Sequence, residues 1–274
     1  MRPYFEQDGV TIYHGACVDM LATMAPRSIG LFMTDPPYTN AVHTGARSNK
    51  GRRGYSKDDE RGRPGGSEMT TERRVMQAAR RIDFVPFTHA DMASAFNAMG
   101  RVAARWIVAT TAFEHAGRLC DEPPPGLRFI RCGSWVKEGP TPQMTGDRPG
   151  QGWEAISILH AADGERMRWN GGGRSAVYHC QAEMRGEYPT QKPERLILAL
   201  LSDFAEASDI VCDPFMGSGT TLLCAWRRGH NAIGCDIREK ACEIAAKRIE
   251  QAMRQGRMPL SVVPTRKDQT ALGF

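Results

Sequence analysis

Five residues, Thr34-Asp35-Pro36-Pro37-Tyr38, carry the first chemical signal in the 274-residue chain. They follow the apolar run Ile29-Gly30-Leu31-Phe32-Met33. Two successive prolines can continue neither a sheet nor a helix interior, so the chain must turn at the end of a strand. That end is where open α/β sheets place their ligands. The turn presents a carboxylate, a proline carbonyl with no competing amide, and an aromatic face. The exocyclic amine of a nucleobase needs this set, because its lone pair is delocalised into the ring and is a poor nucleophile. Hydrogen bonds from the amine to Asp35 and to the Pro36 carbonyl help free that lone pair, and Tyr38 stacks on the base. Taken alone, the same residues would equally make a rigid strand-end turn with a capping aspartate.

The second signal is Asp213-Pro214-Phe215-Met216-Gly217-Ser218-Gly219-Thr220-Thr221, after an apolar strand and opening a helix. Glycines at such a turn let the backbone approach a ligand, and helix N-terminal amides favour anionic groups. A second strand follows and ends at Asp236, a position from which a carboxylate can accept both ribose hydroxyls of a nucleoside. The G-x-G-x-x-G spacing of a pyrophosphate site is incomplete, with Leu222 where the third glycine would stand. An acid ending the first strand, Asp213, also sits badly beside a pyrophosphate and suits a cationic ligand. S-adenosylmethionine, a sulfonium with an amino-acid tail, fits those charges. A nicotinamide oxidoreductase is the weaker reading for the same reasons.

With both motifs in view, the chain resembles the amino DNA methyltransferases of the N6-adenine/N4-cytosine family. More narrowly it resembles their β group, in which the D-P-P-Y block precedes the F-x-G-x-G block in a circularly permuted order. Tyr188-Pro189-Thr190-Gln191-Lys192-Pro193 and Ile12-Tyr13-His14-Gly15-Ala16-Cys17 match two further blocks. The resemblance covers 10–38 and 186–250 well, 100–160 loosely, and the loops between them not at all. It implies direct methyl transfer from S-adenosylmethionine to a flipped-out base. The catalytic residues it implies are Asp35, Pro36, Pro37 and Tyr38. Cofactor contacts fall to Asp213, Pro214, Phe215, Gly217, Ser218, Gly219, Thr220, Thr221 and Asp236, with Lys192, Ala16 and Cys17. Lys192 is read as a contact to the cofactor carboxylate or, equally, as a neighbour of a helix cap. One position departs from the family: Ala16 stands where an acid usually binds the adenine end of the cofactor, and Asp19 is nearby at helical spacing. Weaker cofactor affinity is the expected consequence. Asp35, rather than Ser, leans the target towards adenine N6 over cytosine N4. RNA or protein amide methylation, and a DNA-binding homologue that has lost catalysis, are the competing readings. By resemblance alone, a homodimer and a restriction endonuclease are further partners the family suggests.

The elements that must position these motifs follow from periodicity. Short apolar runs predict strands at 10–13, 29–34, 105–110, 128–136, 153–159, 209–213 and 231–236. Helical spacing predicts helices at 17–25, 89–103, 193–206, 219–229 and 238–254. Their alternation favours one α/β catalytic domain over 1–274: a Rossmann-like, mostly parallel, seven-stranded sheet with helices on both faces. Trp135 and Trp153 read as core residues, and Phe215 as packing against the cofactor or, nearly equally, as a core residue.

Two long stretches break the alternation, and loops of this length are functional or disordered. Residues 39–80 begin as a Gly- and Arg-rich insertion. About four of the five net positive charges of the chain fall within 43–74, and such a localised excess suits a polyanion. Arg47, Lys50, Arg52 and Arg53 are its candidate DNA contacts. Residues 138–190 are broken by Pro140, Pro142 and Pro149 and by Gly171-Gly172-Gly173; within them 161–187, with Arg166, Arg168, Trp169, Arg174, Tyr178, His179 and Arg185, is the candidate target-recognition loop on double-stranded DNA. Eight cysteines show no C-x-x-C pair, and no Cys/His grouping has metal spacing, so no metal is expected. His14, His43 and His179 show no pattern for metal or general-base work. The longest aliphatic run, Leu196 to Leu201, is far short of the ~20 residues of a membrane span. The N-terminus lacks the apolar core of a signal peptide. A cytoplasmic location is the expectation.

Overall fold

The computed structural model describes residues 1–37, 87–139, 149–163, 166–182 and 191–256. The basic insertion therefore lies outside the described residues, together with Tyr38, Arg47, Lys50, Arg52 and Arg53. So do Arg185, and Tyr188, Pro189 and Thr190 of the block that ends at Pro193.

The strands are β1 (Phe5–Gln7), β2 (Val10–His14), β3 (Ile29–Thr34), β4 (Ala103–Thr111), β5 (Leu127–Glu138), β6 (Trp153–Ala161), β7 (Val177–Gln181), β8 (Val211–Asp213) and β9 (Ala232–Asp236). The helices are α1 (Cys17–Ala22), α2 (His89–Val102), α3 (Phe113–Asp121), α4 (Glu194–Phe204), α5 (Thr220–Arg227) and α6 (Glu239–Gln255). All strands join one sheet in the order β1-β2-β9-β8-β3-β4-β6-β5-β7. The run from β2 to β4 is parallel. β6 is antiparallel to both β4 and β5, while β7 pairs with β5 in parallel.

Every residue of β3 is buried, as expected for a parallel strand covered on both faces. Leu31 and Met33 join the core beneath α4, α5 and α6, with Leu200, Phe204, Leu222 and Ile249. Ile29 and Phe32 join the opposite core with Met20, Phe96, Met99 and Leu119 from α1, α2 and α3. Helix α2 starts at a reciprocal cap. The Thr88 hydroxyl accepts from the Asp91 amide, and the Asp91 carboxylate accepts from the Thr88 amide.

The sheet has nine strands among the described residues, where periodicity predicts seven. The added β1 is three residues long, and β7 gives only five residues of alternation between glycine-rich punctuation. Periodicity does not predict helix α3 either, because its buried face carries His115 beside Ala116 and Leu119 and so does not read as apolar. Trp135 is buried, but Trp153 is 42% exposed at the first position of β6, which corrects the expectation of a core residue.

The 161–187 segment is corrected more substantially. Tyr178 and Cys180 point from β7 into the core. The Tyr178 hydroxyl donates to Asp203 at 2.8 Å, and Arg174 donates to the other oxygen of the same buried carboxylate at 2.8 Å. Trp169 packs edge-on against Phe204. The Arg168 carbonyl accepts from Trp106 Nε1, and its guanidinium lies 3.6 Å from Glu206. These contacts hold 168–174 beside the starts of β4 and β8 and the end of α4, at the edge of the sheet opposite the two motif turns.

At that same edge Arg105, its side chain 4% exposed, bridges Glu206 (2.5 Å) and Asp209 (3.1 Å). Burial pushes the Asp209 carboxyl up against the pull of Arg105. Removing one member of a buried ion pair leaves an uncompensated charge and costs ~3–5 kcal/mol. Arg105→Ala should therefore lower the stability measured by urea unfolding by an amount in that range, whereas Arg166→Ala, on an exposed residue, should leave it within ~0.5 kcal/mol.

Candidate functional site

Chain order runs from β3 to β4 on one side of the sheet and from β8 to β9 on the other. The reversal falls between β3 and β8, which pair in parallel through Leu31–Val211 and Phe32–Cys212. A crevice at such a switch point is the expected ligand site of an open α/β sheet. Here it opens into a cavity of about 670 Å³, within the usual size of small-molecule sites.

The strand ends deliver the side chains. Thr34 ends β3 and its hydroxyl donates to Asp213, at the end of β8, at 2.7 Å. Asp35 follows directly. Its Oδ1 accepts from the Thr110 hydroxyl of β4 at 2.6 Å, and its Oδ2 receives Lys192 Nζ at 2.7 Å. Because β6 runs antiparallel to β4, its first residues arrive at this edge, and Glu154 Oε2 sits 3.2 Å from the same Lys192 ammonium. Burial pushes the Asp35 carboxyl up, while Lys192 pulls it down. Pro36 and Pro37 line the cavity beside it.

Asp213 is 3% exposed. It is held by neutral donors: the Thr34 and Thr221 hydroxyls and the Phe215 amide at 3.1 Å. Burial pushes its carboxyl up to about 7. The turn that follows lies flush on α6. Gly219 takes a left-handed φ of +75° as the cap of α5, and a Cβ there would come within 2.8 Å of the Ala245 Cβ. Arg248 of α6 clamps the turn from outside, donating to the Ser218 carbonyl at 2.6 Å, to its hydroxyl at 3.0 Å and to Thr220 Oγ1 at 3.2 Å. Leu222, where a dinucleotide site would carry glycine, is fully buried, and it packs in the space that Gly234 of β9 leaves. At the end of β9, Asp236 accepts from the Gly217 amide at 3.1 Å and from the fork of Arg238 at 3.0 and 3.1 Å.

Most residues predicted for the site therefore meet in one place. Asp35, Pro36, Pro37, Lys192, Asp213, Pro214, Phe215, Gly217, Ser218, Thr220, Thr221, Asp236, Ala16 and Cys17 all line the cavity. Ala16 contributes a methyl group where the family pattern has an acid. Asp19 is exposed on α1 and does not line the cavity. Lys192, read as a contact to the cofactor carboxylate or as a neighbour of a helix cap, directly precedes Pro193, the cap of α4, and pairs with two carboxylates of the protein, Asp35 and Glu154. Arg166, Arg168 and Arg174 do not line the cavity, and Arg174 is engaged by Asp203.

The motifs do not reveal Thr110, Trp135, Lys137, Glu154 and Arg238, which line the cavity as well, whereas Gln191, also on the cavity wall, belongs to the block that ends at Pro193. Arg238, two residues past Asp236, could have been suspected from sequence; the others depend on strand pairing. Cys212, Cys224 and Cys235 are buried and their thiols are pushed up by desolvation, whereas Cys120 and Cys132 are exposed. Among the described residues no cluster of side chains has the makings of a metal site, and no helix is long and apolar enough to cross a membrane.

Residues 161–247 match the family described as DNA methylase. The chain is 22% identical to Type II methyltransferase M2.LlaDCHI of Lactococcus lactis subsp. cremoris, over 93% of this chain and 94% of that protein. It is 24% identical to Type II methyltransferase M2.DpnII of Streptococcus pneumoniae, over 91% and 92%. Among solved structures it is similar to an M1.HpyAVI–SAM complex, with TM-score 0.58 and 18% identity over 87% of this chain and 99% of that one. It is also similar to PvuII DNA methyltransferase (cytosine-N4-specific), with TM-score 0.60 and 14% identity over 92% and 96%. These structural likenesses confirm the α/β methyltransferase fold.

The raised Asp213 carboxyl has a signed consequence. Its folded-state pKa lies above the unfolded value, so the folded state binds this proton more tightly. The stabilisation it contributes is complete below pH ~4 and is lost as pH rises towards 7, at about 1.4 kcal/mol for each pH unit crossed. Urea titrations at pH 5 and pH 8 should show a larger loss for the native protein than for Asp213→Asn, and equal losses would refute the assignment.

Proposed function

We propose, from the match of residues 161–247 to the DNA methylase family and the likeness to Type II methyltransferases, that this chain is a member of that family and methylates the N6 amine of adenine in a specific double-stranded DNA sequence. At the coarser level it is an S-adenosylmethionine-dependent DNA amino-methyltransferase. The observation that carries this coarser reading is the meeting of two motifs at one switch point: Asp35 and the Pro36 carbonyl on one side, Asp213 and the glycine turn on the other, around a single cavity; the adenine assignment rests on Asp35, rather than Ser, at the first position of its block.

The cavity suits the cofactor on the chain's own chemistry. A buried carboxylate held by neutral donors and raised to about 7 is a site that a cation would stabilise in its ionised form. Asp213 would face the positively charged part of S-adenosylmethionine. Asp236 would accept ribose hydroxyls in competition with Arg238. Phe215 and the exposed Ile237 offer an apolar bed for the base. When bound, the cofactor supplies a methyl group activated by its attachment to sulfonium sulfur.

The protein does the rest by position. Asp35 and the Pro36 carbonyl accept the amine hydrogens of the extruded base, which concentrates the lone pair on nitrogen, and Asp35 is the group placed to take the proton the amine then sheds. Pro37 and Trp135 wall the cavity against water, and Tyr38 is assigned the stacking role by its place in the D-P-P-Y block. The order of the blocks supports the β-group assignment. The described residues flanking the basic insertion, Pro37 and Phe87, both line the cavity, which supports phosphate contacts by Arg47, Lys50, Arg52 and Arg53. A cognate restriction endonuclease and a second copy of the chain are further partners that this reading carries on resemblance.

The test is incubation with methyl-labelled cofactor and DNA, RNA or protein in parallel, followed by nucleoside analysis. Label is expected in N6-methyladenine from DNA. Label only in cytosine would overturn the adenine assignment, and label in RNA or protein alone would overturn the substrate class. Asp35→Ala should lower the rate by about 100-fold or more, with cofactor binding by calorimetry retained.

A further inference from the structure

Four charged groups at the base of the cavity form an alternating chain that neither motif contains. Asp35 of the D-P-P-Y turn meets Lys192, ahead of α4, at 2.7 Å. Lys192 meets Glu154 of β6 at 3.2 Å, and Glu154 meets Lys137 of β5 at 2.7 Å. Both ammonium groups lie against the Trp135 ring, 5.9 Å (Lys192) and 5.2 Å (Lys137) from its centroid. The Lys192 and Glu154 side chains are only 12% and 14% exposed. A surface ion pair of this kind would contribute little, but a partly desolvated one fixes geometry and protonation state.

The need for such a device follows from the chemistry proposed above, and the inference rests on that reading. Asp35 serves the amine only as an ionised acceptor, yet its surroundings disfavour the charge. Glu154 and Asp213 both face it as further carboxylates, and among the described residues in contact with it Lys192 is the countercharge; Thr110 adds a neutral hydroxyl donor. Burial of Lys192 disfavours its charge, and the carboxylates of Asp35 and Glu154 on either side outweigh that and hold its pKa above the usual lysine value.

We propose that Lys192 and Glu154 are positioning residues for methyl transfer: Lys192 orients the Asp35 carboxylate and keeps it ionised, and Glu154 keeps Lys192 charged and in place. Lys192 thus acts on the target-amine side of the cavity and not on the cofactor carboxylate. Lys137 completes the alternation by balancing Glu154.

The two residues have opposite signatures in pH. Without the ammonium, Asp35 holds its proton to higher pH, so in Lys192→Met the acid limb of kcat should move up by about 1–3 pH units, a loss of roughly 10- to 1000-fold at a fixed pH on that limb. In Glu154→Gln, Lys192 loses one of the two charges that retain its proton, so the alkaline limb should move down while the acid limb does not rise. Lys192→Arg keeps the charge and should restore the acid limb of the native protein.

The experiment measures kcat and KM for DNA across pH in the native chain and the three variants. Calorimetric Kd for S-adenosylmethionine is measured alongside, and the Asp35 carboxyl band is titrated by infrared difference against Asp35→Asn. A Lys192→Met protein with an unmoved acid limb and an unmoved Asp35 band overturns the proposal. So does one whose defect is confined to a raised Kd for S-adenosylmethionine, which would return Lys192 to the cofactor. Coincident profiles for Glu154→Gln and the native chain remove Glu154 from the device. If the native chain transferred no methyl group to DNA, the functional reading would fall, and the Asp35 band in Lys192→Met would still decide whether Lys192 sets its ionisation.

Discussion

The site depends on one pairing, the parallel junction of β3 with β8. These strands lie 179 residues apart in the chain at their Thr34 and Asp213 ends, and each carries a chemical turn immediately beyond its last residue. Their register brings the Thr34 hydroxyl within 2.7 Å of the Asp213 carboxylate. That bond ties the start of one motif to the start of the other and crosses the point where the sheet reverses its winding. A slip of one residue in either strand would send the side chains to the opposite face of the sheet. The fully buried β3, wedged between two hydrophobic cores, makes such a slip costly.

Around this junction the charges are graded by their partners. Asp213 is buried among neutral donors and is pushed up to about 7. Asp35 is raised by burial but has Lys192 against it. Asp236 is gripped by the Arg238 fork and a backbone amide. The first environment favours a cation, the second a polar hydrogen, the third a diol or other donor. Three carboxylates in one cavity therefore present three different sets of partners to a ligand.

Much of this was legible in the residues. Asp35-Pro36-Pro37 reads as the end of a strand because proline leaves no alternative, and β3 does end at Thr34. The glycine turn reads as strand–turn–helix, and Gly217 and Gly219 take the positive φ values that such a turn requires. The buried stripe of α6 falls at the helical spacing of Ala241, Ala245, Ile249 and Ala252. What was not legible depended on partners. Tyr178 and Arg174 read as exposed recognition residues because their neighbours are glycines and arginines, and nothing local reveals that Asp203, on a helix beyond them, takes both. Trp153 reads as core because it opens an apolar run, yet it falls at the rim of the sheet.

By itself, the sequence determined the two chemical turns, the elements that carry them and the class of fold, because proline, glycine and hydrophobic period act over a few residues. Tertiary structure alone decided that β6 runs antiparallel and so delivers Glu154 to the cavity, that Lys192 faces Asp35, and that residues 168–174 lie at the far edge of the sheet. Those outcomes are set by which strand pairs with which and in what direction. That choice is a global balance of burial and hydrogen bonding with no local signature along the chain.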